Sequence, residues 1–129
     1  MCFLNLFCIF VISFLVSLSF QQKPVLNNFP LVQNQRNGGR FVLTCAASFG
    51  QTPISFDWKK SGHKIVQDEN YQINTENLMS TLIIKNVSAK QSGNYTCLAS
   101  NEKGFDSQSS YLNVQSVSNN FFKFAFLLT

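Results

Sequence analysis

From Phe41 onward the chain alternates apolar and polar side chains in short runs, separated by clusters of Gly, Pro, Asn and Ser. A two-residue period puts successive side chains on opposite faces of a strand, so each run reads as a strand with one face turned to a core. After an extended piece from Val25 to Val32, the turn Asn37-Gly38-Gly39 opens a strand whose inward set is Phe41, Leu43, Cys45 and Ala47, with Val42, Thr44 and Ala46 on the other face. Gly50 to Pro53 breaks the pattern. Ile54, Phe56 and Trp58 then alternate with Ser55, Asp57 and Lys59, and Ser61-Gly62 turns the chain toward short edge strands at Lys64–Val66 and Tyr71–Ile73. Leu82 and Ile84 point inward along Ser80–Lys85, and Val87 plugs the loop that follows. Tyr95, Cys97 and Ala99 do the same along Gly93–Ser100. The turn Glu102-Lys103-Gly104 leads into a last strand, Ser107–Val114, with Leu112 and Val114 inward. Beyond the leader, no stretch carries a helical stripe, and seven or eight short strands predict an all-β chain folded as a two-layer sandwich.

Three residues give this sandwich a frame. Trp58 stands thirteen positions after Cys45, and Tyr95 stands two before Cys97, within the run Gln91-Ser92-Gly93-Asn94-Tyr95-Thr96-Cys97. The frame resembles that of immunoglobulin domains, which implies a Greek-key β-sandwich over residues 20–115 with Trp58, Leu82 and Tyr95 in its core. Leu82-Ile83-Ile84-Lys85-Asn86-Val87, followed by Leu98-Ala99-Ser100-Asn101 and Gly104, is similar to the intermediate set (I-set), common in cell-adhesion receptors. Only 51 residues lie between the two cysteines, too few for the two extra strands of a variable-type domain. Within the set, the stretch from Gly50 to Gly62 resembles the Down syndrome cell adhesion molecule family, and the likeness runs from Phe29 to Val114. It implies a domain that works by presenting surfaces to a protein partner, including a second copy of itself. One departure is Gln91, where the superfamily often carries an Asp paired with an Arg at the start of the fourth strand. The neighbourhood of Tyr71 offers no Arg, so both members of the pair are missing together and no lone charge is left buried.

The segment from Cys2 to Phe20 is apolar and holds no ionisable acid or base other than its cysteines. It reads as a secretory signal peptide over residues 1–19, with Ser17 and Ser19 as the small residues before a cut between Ser19 and Phe20. An uncleaved anchor is the alternative, because the stretch is about long enough to span a bilayer and no Lys or Arg precedes it. Removing the leader takes away Cys2 and Cys8 and leaves Cys45 and Cys97 as a single pair in an oxidising compartment. The expected localisation is extracellular, either secreted or at the cell surface.

The 129 residues carry a formal charge of +4, all of it beyond the leader. The excess gathers only at Lys59, Lys60 and Lys64, which read as a solvated strand edge in preference to a site for anionic ligands. No nucleic-acid-binding module is present, and no basic stretch is interleaved with aromatics. Catalysis, cofactors and small-molecule substrates find no support. His63 has no Cys, Asp or Glu at metal-ligand spacing, and no phosphate-cradling loop or nucleophile elbow occurs. Two glycosylation sequons do occur, Asn86-Val87-Ser88 in a loop and Asn94-Tyr95-Thr96 on a strand. Asn94 alternates with inward Tyr95 and so faces solvent. A glycan there narrows the surface open to a partner, and a bare Asn on a solvated face is the alternative. The tail 116–129 runs from polar Ser116–Asn120 to apolar Phe121–Leu128, too short to span a membrane and short for a lipid-anchor signal. A marginal anchor, or a chain end beyond which further domains were lost, are the readings it leaves. The leading functional expectation is an adhesion-type recognition domain, and the alternative is a soluble binding module such as an immune factor or decoy.

Overall fold

The computed structural model describes residues 6–11 and 22–116. The cleavage point between Ser19 and Phe20 and the apolar tail lie outside them. Among the described residues nine strands run in order as β1 Val25–Leu26, β2 Val32–Arg36, β3 Phe41–Phe49, β4 Ser55–Lys60, β5 His63–Lys64, β6 Tyr71–Thr75, β7 Met79–Ile84, β8 Gly93–Asn101 and β9 Gly104–Gln115. One sheet has the order β1-β3-β7-β6 and the other β2-β9-β8-β4-β5. All pairings are antiparallel except β2 with β9.

The alternation read from the sequence becomes the core. Phe41, Leu43, Cys45 and Ala47 of β3, Leu82 and Ile84 of β7, Tyr95, Cys97 and Ala99 of β8 and Leu112 and Val114 of β9 are buried together. Val87 plugs the loop as expected and is fully buried. Trp58 is 1% exposed, and Cys45 and Cys97 are bonded across the two sheets beside it. Burying a side chain of this kind contributes about 1.5–3 kcal/mol, so the interleaved rows are the main driving force for the sandwich.

Two elements differ from expectation. The piece from Val25 to Val32 is not one extended segment. Its first part pairs with β3, and the second begins a strand that pairs with β9 in the opposite sheet. Pro30 has no N–H to give a ladder and lies where the chain changes sheets. The crossover is held by the Pro30 carbonyl, which accepts from the buried Ser110 hydroxyl at 2.6 Å, and by Phe29, whose ring stacks on Trp58 with centroids 6.2 Å apart. The edge strand expected at Lys64–Val66 is instead His63–Lys64. Its shift follows from the turn, because a two-residue loop pairs Lys60 with His63, and Ser61 (φ 49°) and Gly62 (φ 84°) both take the left-handed conformation that such hairpins require. Ile65 then leaves the ladder, donates its N–H to the Trp58 carbonyl and is buried.

Candidate recognition surfaces

The residues singled out in the sequence divide cleanly between interior and surface. Inside, the Tyr95 hydroxyl donates to the Gln91 carbonyl at 2.7 Å, four residues upstream, and lies 3.3 Å from the Tyr71 hydroxyl. This is the tyrosine corner, tying the loop before β8 to the strand. Burial, and then the neighbouring Tyr71 hydroxyl, push the Tyr95 phenol well above its ordinary range, so it stays protonated. Gln91 has a local role in place of an ion pair. Its side-chain oxygen accepts from the Ser88 N–H at 2.8 Å and the Ser88 hydroxyl at 2.7 Å, closing the single helical turn Ala89–Gln91.

Sequence reasoning missed the polar partners of this interior. The Trp58 indole N–H donates to the Ser80 hydroxyl at 2.9 Å, and Ser80 is itself fully buried, with the Thr75 hydroxyl 2.9 Å away. Asp106 accepts from the Leu26 N–H at 2.8 Å and so ties β1 to the opposite sheet. The inward position of Ser80 and Ser110 in their strands was the available signal, since a buried hydroxyl needs a partner. Among the described residues no buried side-chain nitrogen or oxygen lacks one.

Two lysines of the basic cluster have partners within the domain. Lys64 pairs with Asp57 at 2.6 Å, while Lys60 donates to the Lys90 carbonyl and lies 6.0 Å from the centre of the Tyr95 ring. His63 is exposed at the hairpin with its ring nitrogen 3.1 Å from the Ser61 carbonyl. Among the described residues no group of three His, Cys, Asp or Glu is placed to hold a metal, and no helix is long and apolar enough to cross a membrane.

What remains is two outward sheet faces of different character. The five-stranded face presents Asp57 and Lys59 on β4, Asn94, Thr96 and Leu98 on β8, Phe105, Ser109 and Tyr111 on β9, and Val32 on β2. Asn94 is exposed there as expected. Asn86 is exposed in the turn after β7, at the same end as the Ser88 and Gln91 contacts. The four strands of the other sheet contain no Asp, Glu, Lys, Arg or His at all. Their outward positions bring Val42 beside Ile83, Thr44 beside Thr81 and Ala46 beside Met79 in register, and the Thr44 and Thr81 hydroxyls lie 3.2 Å apart. Val42 and Met79 remain 47% and 40% exposed.

Comparison with known proteins agrees with this architecture. The sequence model of the family described as immunoglobulin domain matches residues 23–101. Cell adhesion molecule DSCAML1 of Gallus gallus is 42% identical over 64 residues, half of this chain but 3% of that protein. Hemicentin-1 of Mus musculus is 34% identical over 97 residues, 75% of this chain and 2% of that protein. The chain thus spans only a few per cent of the curated relatives it matches. Among solved structures, an I-band fragment of titin superposes with a TM-score of 0.69 at 30% identity over 74% of this chain and 34% of the fragment. The Dscam1 Ig7 domain, at 23% identity, superposes with a TM-score of 0.67 over 72% of this chain and 97% of that domain and shares the fold. Sheet order, the Cys45–Cys97 bridge against Trp58 and the family match together place this chain in the immunoglobulin superfamily, as a domain of the cell-adhesion type.

Proposed function

We propose that this domain is an extracellular recognition module that binds a protein partner, a second copy of itself included, through the outward face of β1, β3, β6 and β7. The observation that carries the reading is that these four strands hold no Asp, Glu, Lys, Arg or His yet expose Val42 and Met79. The cores of protein interfaces are depleted of charge and enriched in Met and aromatics, because removing charges from water costs more than docking returns. A charge-free face also meets its own copy without like-charge repulsion. The mechanism is surface complementarity with no chemistry, and weak single-domain contacts gain strength from multiple copies on a membrane. The likeness to adhesion molecules, the disulfide and the apolar leader support the extracellular setting.

Beads coated with the purified chain test the reading. Self-recognition predicts clustering that is lost on Val42→Lys or Met79→Glu and kept on Ser107→Lys, which lies on the opposite face. Absence of clustering would discard self-recognition and leave the soluble binder of a different ligand as the better account.

A further inference from the structure

We infer that Asn94 carries an N-linked glycan whose first N-acetylglucosamine packs on Tyr111, so that the five-stranded face is covered by sugar and the charge-free face is left for partners. The inference rests on the extracellular setting proposed above, since only a chain that enters the secretory pathway meets the glycosylating enzyme. Asn94 opens the sequon Asn94-Tyr95-Thr96 and is exposed, while Tyr95 beside it is fully buried; the side-chain amide therefore points away from the core. Its partner in register on β9 is Tyr111, and next across the sheet is Val32 of β2. Directly opposed residues on one face have Cβ atoms about 4.5–5.5 Å apart, within reach of the first sugar on an asparagine.

Tyr111 and Val32 are 46% and 57% exposed, so both keep surface open to solvent on this face. A pyranose ring offers an apolar face of C–H bonds that packs against an aromatic ring, while its hydroxyls stay in water. Neighbouring side chains leave room for it. Thr96 is held by the Ser109 hydroxyl at 2.8 Å, and Asn113 is turned to Asn34 at 2.9 Å. Asn86 lies in a turn and has no strand partner in register; its N–H donates to the Asn70 side-chain oxygen at 2.9 Å.

The test uses the chain secreted from a eukaryotic host. Mass spectrometry of glycopeptides is expected to find sugar at Asn94. In an Asn86→Gln background, melting temperature is then compared for the intact glycoprotein, for protein trimmed to the innermost N-acetylglucosamine and for protein stripped entirely. The first two are expected to melt together, and the third about 4–8 °C lower. In Tyr111→Ser, and separately in Val32→Ser, the loss on stripping should shrink or vanish. A secreted chain with bare Asn94, or a loss on stripping that is the same with and without Tyr111, overturns the inference alone. A chain that is not secreted and carries sugar at neither sequon overturns the extracellular reading and this inference with it.

Discussion

Single side chains in this domain matter most where an apolar interior has to accommodate a polar atom. Ser80 is the clearest case. It is fully buried, and it accepts the Trp58 indole N–H while lying against the Thr75 hydroxyl. Ser80→Ala keeps the strand but orphans the indole N–H, and is expected to lower unfolding free energy by about 1–3 kcal/mol, read as a lower urea midpoint at unchanged slope. Tyr95 adds a dependence on pH. Its folded-state phenol holds its proton well above the ordinary range, whereas in the unfolded chain it ionises near about 10. The folded state therefore binds more protons above that value. The stabilisation is complete below about pH 10 and declines as pH rises further. Urea midpoints measured from pH 8 to 11.5 should fall for the native chain. For Tyr95→Phe they should start lower, since the bond to the Gln91 carbonyl is gone, and fall less steeply.

At the scale of elements, turns decide where strands begin and which strands pair. The β4–β5 hairpin is closed by Ser61 and Gly62, both left-handed, and Asn adopts that conformation more readily than Ser. Ser61→Asn is expected to raise stability by about 0.5 kcal/mol, measurable as a higher melting temperature. Gly50 sits under the opposite constraint. Its φ is 139°, and a Cβ there would come within 2.9 Å of the Pro24 Cα, so Gly50→Ala should destabilise by more than about 1 kcal/mol and loosen β1 from β3. Hydrogen exchange at the Asn27 and Gln51 amides, which donate to Ala46 and Gln22, would locate that loosening.

For the molecule as a whole, the disulfide is the largest single constraint. Cys45 and Cys97 are 52 positions apart, and closing a loop of that size in the unfolded chain is worth about 4 kcal/mol in the chain-entropy account. Domains of this size have a total stability of about 5–15 kcal/mol. The double variant Cys45→Ala/Cys97→Ala is therefore expected to unfold at much lower denaturant, or to be unfolded at 37 °C, while single variants add an unpaired thiol to the same loss. Circular dichroism of native and reduced protein checks this. The two sheet faces set the molecular role at the same scale, one free of charge and one bearing the Asn94 sequon, and sugar on one face is compatible with protein on the other.

Much of this was legible in the sequence because period-two alternation reports burial directly. Phe41 to Ala47, Leu82 and Ile84, Tyr95 to Ala99 and Leu112 to Val114 all face the core as the pattern requires, and the spacing of Cys45, Trp58 and Cys97 identified the frame that holds them. Exposure of Asn94 followed from the same alternation, and that of Asn86 from its place in a loop. Tertiary structure alone decided the rest. Val32–Arg36 has no apolar alternation and becomes a strand only because β9 supplies a ladder beside it. Ser80, Ser110 and Asp106 look like ordinary polar positions until folding brings Trp58, Pro30 and the Leu26 amide to them. A neighbour in sequence constrains which face a side chain takes. Only packing of the two sheets determines what, from eighty residues away, will meet it there.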